Sequence, residues 1–138
     1  MTSTLLPEEL YYSKNHEWLF VDENLVTLGL TPFALENLGE VLYLDLPEEG
    51  QNASPGQIIG SIESVRKIHD IVSSLTGTVL EINLSLLEEP NLLNDDPFGD
   101  GWLFKVELDN ERDLANLLRA KEYKVFTETP PALQLPKV

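Results

Sequence analysis

The stretch from Gly60 to Gly77 constrains the fold more than any other part of the chain. A basic pair, Arg66-Lys67, stands almost midway between the two glycines. On both sides of this pair, apolar residues are interspersed with polar ones, as in strands that bury one face. These apolar positions are Ile62, Val65, Ile68, Ile71 and Val72. The pattern predicts a β-hairpin that projects from a scaffold and presents the basic side chains of its tip to solvent.

Further short runs of β-type composition surround this hairpin and predict its scaffold. The runs are residues 16–21, 25–30, 40–46, 57–65, 77–83 and 102–108. Turn-forming segments separate them, among them Asp22-Glu23-Asn24 and Ser54-Pro55-Gly56. Many short strands in a chain of 138 residues indicate a single domain of mainly β class, a small β sandwich or flattened barrel.

Helices are expected only at the periphery of this sandwich. Thr31 and Pro32 suit the N-cap and the first position of a short helix that ends at Gly39. Asp109 or Asn110 suits the N-cap of a C-terminal helix. The other expected segments are helical turns at residues 84–93, a loop at 94–101 and the C-terminal helix at 111–118.

The two ends of the chain carry little periodic pattern. Residues 1–10 are expected to form a loose arm, and residues 127–138, which contain three prolines, a flexible or surface-tracing tail. The domain itself is therefore predicted to span residues 1–126.

Composition excludes several classes of function. The net charge is −15 at pH 7, which disfavours nucleic acid and anionic membranes as partners and favours basic protein surfaces, although solubility alone would also explain it. The chain has no cysteine, which excludes disulfides, zinc ribbons and thiol nucleophiles. Its two histidines are too few for a histidine-rich metal site. No membrane-spanning run or signal sequence is recognised, so a cytoplasmic location is expected.

Candidate catalytic and metal-binding residues have simpler structural explanations. Residues 95–101 resemble a calcium loop but miss its ligand spacing, and a turn is the better interpretation. Ser64, His69 and Asp70 are the three residue types of a nucleophilic triad, but no nucleophile elbow or oxyanion hole is recognised in the sequence. The better interpretation of these residues is a solvated hairpin surface. His16 is expected to pack or hydrogen-bond. No constellation supports an enzyme, and a rigid scaffold that displays one lysine suits a carrier.

Several motifs resemble the H protein of the glycine cleavage system, over about residues 12–123. The matching segments are Tyr12-Ser13-Lys14-Asn15-His16-Glu17-Trp18, Leu28-Gly29-Leu30-Thr31-Pro32-Phe33-Ala34, Leu38-Gly39-Glu40-Val41 through Leu46-Pro47-Glu48-Glu49-Gly50, Glu63-Ser64-Val65 and residues 90–102. The resemblance implies a lipoyl/biotinyl-domain-like hybrid β sandwich. It also implies lipoate in amide linkage to a lysine, which shuttles an aminomethyl group among the decarboxylase, aminomethyltransferase and dihydrolipoyl dehydrogenase components.

The hairpin tip departs from the pattern of that family. The family sequence Glu-Ser-Val-Lys is replaced by Glu63-Ser64-Val65-Arg66, and the lysine follows one place later as Lys67. Arginine cannot take the lipoyl amide, because its guanidinium stays charged and is a poor nucleophile. Along a strand, a shift of one residue turns a side chain to the other face of the sheet. At a turn this alternation is weaker, so Lys67 can still point to solvent. Ser74 is a second, milder departure, at a position where the family usually has proline.

Two hypotheses of different class follow. In the first, Lys67 is lipoylated and the protein is a carrier for glycine cleavage or for another lipoate-dependent pathway such as sulfur oxidation. In the second, the protein is an unmodified H-like module that binds lipoate enzymes, or a lipoyl ligase or transferase, through its acidic surface.

Overall fold

Nine strands, each antiparallel to its neighbours, form two sheets in the computed structural model, which describes residues 6–128. The larger sheet has six strands in the order β1-β2-β3-β9-β8-β5, and the smaller has three in the order β4-β6-β7. The strands are β1 (Tyr11–Tyr12), β2 (Glu17–Asp22), β3 (Leu25–Leu30), β4 (Val41–Asp45), β5 (Asn52–Ala53), β6 (Ile58–Ser64), β7 (Ile68–Val72), β8 (Gly77–Ile82) and β9 (Phe104–Leu108). This architecture confirms the predicted mainly β class.

Apolar residues from both sheets form one core. β4, β6 and β7 contribute Leu44, Ile62 and Ile71, and β3 and β9 contribute residues such as Val26 and Phe104, all essentially buried. Their polar neighbours along each strand point away from the core, which is the alternation that the sequence shows. The scaffold predicted around the hairpin is therefore present, and β6 and β7 are the hairpin's two arms.

The short helix after β3 begins and ends where its sequence predicts. This helix is α1 (Pro32–Leu38). Thr31 is its N-cap, and the Thr31 hydroxyl accepts a hydrogen bond from the Ala34 amide at 3.4 Å. Gly39 terminates it with φ of 74°, a left-handed value that a residue without Cβ adopts without strain.

The helical segments in the second half differ in detail from the prediction. The expected turns at residues 84–93 are α2 (Ser85–Glu88) and α3 (Leu92–Asp95). Because α3 includes Asn94 and Asp95, the prediction of a loop beginning at residue 94 was wrong.

The C-terminal helix also lies later than the sequence suggests. A 3₁₀ helix spans Glu111–Asn116, capped by the Asn110 side chain, and the α-helix is α4 (Ala120–Glu128). Leu118 exchanges two backbone hydrogen bonds of 2.7 Å with Tyr12, which fixes it in an extended conformation and prevents a continuous helix through residue 118. The predicted tail from residue 127 is mostly outside the described residues, although Thr127 belongs to α4.

The described part of the N-terminal arm is not loose. Leu10 is buried with Tyr12, Trp18, Ala120 and Tyr123 in a second apolar cluster, and the Tyr12 hydroxyl donates to the Pro7 carbonyl at 2.7 Å. The expectation of a loose arm therefore fails for residues 6–10. Residues 1–5 lie outside the described part of the chain.

Candidate functional site

The hairpin predicted around Arg66-Lys67 lies at one end of the smaller sheet. β6 and β7 pair from Ile58↔Val72 to Glu63↔Ile68, with an irregularity between Ile58 and Gly60. The four residues Ser64-Val65-Arg66-Lys67 close the turn. The predicted hairpin is present with this basic pair in its turn, but the contacts described below hold the tip against the scaffold, so it does not project freely.

The Ser64 side chain organises the turn. Its hydroxyl donates to the Lys67 carbonyl at 2.9 Å and accepts from the Arg66 and Lys67 amides at 3.2 and 3.1 Å. The Ser64 amide donates to the same Lys67 carbonyl at 2.9 Å. A serine that satisfies the backbone of its own turn is a common local device. Ser64 is also buried, so it stabilises the turn and is not a displayed nucleophile.

Arg66 stands at the apex, but its side chain folds back on the scaffold. Its guanidinium Nη1 donates to the Glu36 carbonyl at 2.9 Å, near the C-terminal end of α1. A cation is favoured at this end of a helix, where carbonyl groups lack intrahelical partners. A Cβ added to Gly39 would come within 3.4 Å of Arg66 Nε, so the arginine lies directly over the glycine that ends the helix.

Lys67 follows the apex and has a different environment. Its backbone is held by Ser64, whereas its side chain is exposed. Within residues 6–128, the ammonium group has no hydrogen-bond or ion-pair partner. The residue is therefore fixed at its main chain and free at its amine, which is the chemistry that an attachment site for an acyl group needs. Lys67 fits a covalent lipoyl group, and Arg66 does not.

The tip rests on a short backbone segment between α1 and β4. The Val65 amide donates to the Glu40 carbonyl at 3.0 Å, and β4 begins opposite Ser64 through the pairing Val41↔Ser64. We call residues 39–41 the tip seat. The seat is itself held by Asn94 of α3, which donates to the Gly39 carbonyl at 2.9 Å and accepts from the Val41 amide at 3.0 Å.

Sequence reasoning missed the role of Asn94. The sequence predicts a loop at this position, and the one signal for Asn94 is that it belongs to the segment 90–102 that carries the family resemblance. An asparagine side chain carries one donor and one acceptor group in a single plane, so it can bind a carbonyl and an amide of the same segment. The arrangement links α3 to the tip through three consecutive contacts.

Glu63 lies on the solvent side of the smaller sheet, next to the tip. The register places it between Tyr43 of β4 and Ile68 of β7. All three side chains are exposed, and the fractions are 60% for Tyr43 and 63% for Ile68. Glu63 therefore faces solvent between two apolar neighbours, and Val65, 57% exposed, continues this apolar surface at the turn.

The proposed triad residues are not assembled for catalysis. In β7, His69 pairs with Ile62 and is partly buried, whereas Asp70 pairs with Ser61 and is exposed. Adjacent residues of a strand point to opposite faces, so the histidine and the aspartate diverge. The Ser64 hydroxyl is engaged within the turn. The favoured interpretation of this segment as hairpin surface stands for Asp70, and His69 belongs to the interior.

Two partly buried histidines, His16 and His69, lie close enough together for their charges to interact. Burial lowers the pKa of His69, and the charge of Lys67 lowers it further. Burial likewise lowers the pKa of His16 to about 4, with smaller effects of the charges on His69 and Lys67. His16 Nδ1 is 2.9 Å from the Tyr123 hydroxyl, which confirms that this histidine packs and hydrogen-bonds. Both imidazoles are therefore neutral near pH 7.

Glu17 is the most perturbed acid in the described chain, and its burial was not anticipated. Its side chain is fully buried, and burial raises its pKa to about 8 despite hydrogen bonds from the Val72 backbone and Ser13. One carboxyl oxygen, Oε2, has no hydrogen-bond partner. A carboxyl group in such a place is protonated at neutral pH, because charging it would cost desolvation energy.

The suspected calcium loop is a turn. The Asp96 side chain accepts from the Asp100 amide at 2.8 Å, and the Asp96 carbonyl accepts from the Gly99 and Gly101 amides. Across residues 6–128, no three acidic or histidine side chains are grouped to hold a metal ion. In the same residues, no helix is long and apolar enough to cross a membrane.

The chain matches a known family over most of its length. The family described as Glycine cleavage H-protein covers residues 10–130. A glycine cleavage system H protein from Carboxydothermus hydrogenoformans is 39% identical over 125 residues, which are 91% of this chain and 96% of the relative. One from Thermotoga maritima is 44% identical over 115 residues, which are 83% and 93% of the two chains.

A solved structure shows the same architecture. The crystal structure of a glycine cleavage system H protein from Mycobacterium marinum superposes with a TM-score of 0.83 at 29% identity. The match covers 90% of this chain and all of the other.

Proposed function

We propose that this chain carries a lipoyl group in amide linkage to Lys67. The chain belongs to the glycine cleavage H-protein family of lipoyl carriers. The observation that supports this site most directly is the contrast at the tip. Arg66 is committed to the Glu36 carbonyl and cannot form the amide, whereas the neighbouring Lys67 amine is exposed and unpaired within the described residues.

The role that this assigns to the protein is transport. A bound lipoyl group supplies a disulfide–dithiol pair that can accept a one-carbon unit and two electrons. The protein's residues hold the attachment point. Ser64 fixes the Lys67 backbone, and the tip seat fixes Val65. We propose the decarboxylating, aminomethyl-transferring and dihydrolipoyl dehydrogenase components of glycine cleavage as the partners.

The second candidate function is an unmodified binding module. Arg66 favours it, because the residue at the apex is not an acceptor and its side chain is held on α1. Such a protein would dock on lipoate enzymes, or on a lipoyl ligase or transferase, without carrying a group. The two candidates differ in one measurable property, the covalent state of Lys67.

Intact-mass measurement and peptide mapping test the proposal. We expect one lipoyl increment, mapped to Lys67, when the chain is produced with lipoylation machinery and lipoate. Lys67→Ala should abolish the increment. Lys121→Ala, which removes an exposed lysine of α4, should retain it and is the matched control.

The apex variant separates the two candidates. Arg66→Lys restores an acceptor at the apex, and we expect it to be modified at residue 66. An unmodified wild-type chain together with a modified Arg66→Lys chain would support the binding module. If neither chain is modified while a known H protein is modified in parallel, the assignment of the tip as an attachment site is wrong.

A further inference from the structure

The solvent side of the β4-β6-β7 sheet next to the tip combines apolar and acidic side chains. Tyr43, Val65 and Ile68 are 57–63% exposed, and Leu42 beside them is 50% exposed. We call these four residues the tip patch. Large apolar side chains clustered on a soluble surface mark interaction sites more often than isolated ones do.

The register shows how the patch is arranged. One row across the sheet is Tyr43–Glu63–Ile68, and the next row is Asp45–Ser61–Asp70. Aromatic and branched side chains therefore lie nearest the tip, and carboxylates lie between and behind them. The three strands contain no lysine or arginine, so the basic pair of the hairpin lies in its turn.

A modifying enzyme needs such a feature to select its target. The chain has six lysines, at positions 14, 67, 105, 121, 124 and 137. An enzyme that acylates one of them must recognise the surroundings, because the amines are chemically alike. Lys105 has a different setting, since it pairs with Glu81 at 3.6 Å and lies over the Trp102 ring. The tip patch lies next to Lys67 in the fold.

We propose that the tip patch is the docking surface for the enzyme that attaches the lipoyl group. The contact surface of that enzyme is apolar where it meets Tyr43 and Ile68 and basic where it meets the carboxylates of Glu63, Asp45 and Asp70. This inference rests on the proposed function for the choice of partner. It adds which face of the hairpin the partner uses.

A lipoate ligase and two double variants test this surface. Tyr43→Ser with Ile68→Ser removes its apolar centre. Phe20→Ser with Leu84→Ser is the matched control, since these exposed side chains (44% and 65%) lie outside the hairpin sheet. We expect the ligase KM for the patch variant to rise about tenfold or more with kcat unchanged, and the control to stay within about twofold.

A competition assay keeps this test independent of whether Lys67 is modified. Each unlipoylated chain is added as an inhibitor while the ligase modifies a separate lipoyl domain. Wild type and control should inhibit with similar constants, the patch variant about tenfold more weakly, and added salt should weaken wild-type inhibition. If the patch variant inhibits as well as the control, the docking proposal is overturned. If the wild-type chain is not lipoylated but inhibits more strongly than the patch variant, the docking proposal is supported and only the assignment of Lys67 as the attachment site is contradicted.

Discussion

At the scale of single residues, two tightly constrained side chains lie in β2 of the larger sheet and not in the hairpin. Glu17 is fully buried with one carboxyl oxygen unpaired. Trp18, its neighbour in β2, lies against Gly29 of β3 and donates from Nε1 to the Pro97 carbonyl at 2.9 Å. Changes at these sites should alter the free energy of unfolding for different reasons: the reason is electrostatic at Glu17 and steric at the contact between Trp18 and Gly29.

The raised pKa of Glu17 predicts a pH-dependent stability. The folded value of about 8 exceeds the ordinary value of 4.5, so the folded state holds the proton more tightly. This stabilisation is complete below about pH 4.5 and is lost as pH rises toward 8, at up to about 1.4 kcal/mol per pH unit. Glu17→Gln should remove that decline. Denaturant unfolding of both proteins at pH 5, 6.5 and 8 measures it, and parallel curves would contradict the assignment.

Gly29 predicts a steric effect. It pairs with Trp18 across the β2–β3 ladder, and a Cβ at this position would overlap the indole ring. Gly29→Ala should therefore lower the free energy of unfolding by about 1–3 kcal/mol, because the indole must move out of a packed site. Urea unfolding with Trp fluorescence measures both the stability and the indole environment. Unchanged values of both would show that the ring relaxes without cost.

At the scale of elements, the tip is held by a relay of contacts from α3 through the tip seat to the turn. Asn94 binds the Gly39 carbonyl and the Val41 amide, and the Glu40 carbonyl accepts from the Val65 amide. α1 adds the contact between Arg66 and the Glu36 carbonyl. Two helices and one connecting segment thus fix a turn that would otherwise project freely.

Loss of the Asn94 side chain should loosen the tip more than the rest of the fold. Asn94→Ala leaves a carbonyl and an amide of the seat without partners, which costs about 1–3 kcal/mol. We expect amide hydrogen exchange at Val65 to accelerate about tenfold or more, with smaller changes in the larger sheet. Asn91→Ala is the control, because the Asn91 side-chain amide donates to the exposed Asp95 carboxylate and not to the tip seat. Equal exchange in the two variants would show that Asn94 does not support the tip.

The elements that the sequence predicted well are those governed by local rules. Alternation along β6 and β7, the Thr31-Pro32 start of α1 and its Gly39 end are local patterns, and all are present. The positions of the 3₁₀ helix and α4 depend on Leu118 pairing with Tyr12, more than a hundred residues away in sequence. The role of Asn94 depends likewise on a distant segment. No local periodicity encodes such contacts.

At the scale of the whole molecule, charge is the dominant feature. The net charge is −15 at pH 7, and the ion pair between Lys105 and Glu81 is the only one within residues 6–128. Both of its side chains are partly exposed, so it adds little. Repulsion among the remaining carboxylates opposes compaction and is reduced by salt.

Added salt should therefore stabilise the protein. We expect the melting temperature to rise by a few degrees between about 10 mM and 500 mM NaCl at pH 7, because screening weakens repulsion among the carboxylates. Thermal unfolding followed by circular dichroism measures it. A melting temperature that falls with salt would indicate that attractive pairs outweigh the repulsion.

The tethering of the tip has a consequence for any group carried on Lys67. The turn backbone is bound by the Ser64 side chain and by the tip seat, and the Arg66 side chain is bound to α1. The motion available to the cargo therefore comes mainly from the lysine side chain and the attached chain. The reactive end then samples a limited volume around a fixed origin, which raises its effective concentration for a partner docked within reach. A loosened turn would enlarge that volume and dilute the cargo, so delivery would slow even though the arm had gained reach.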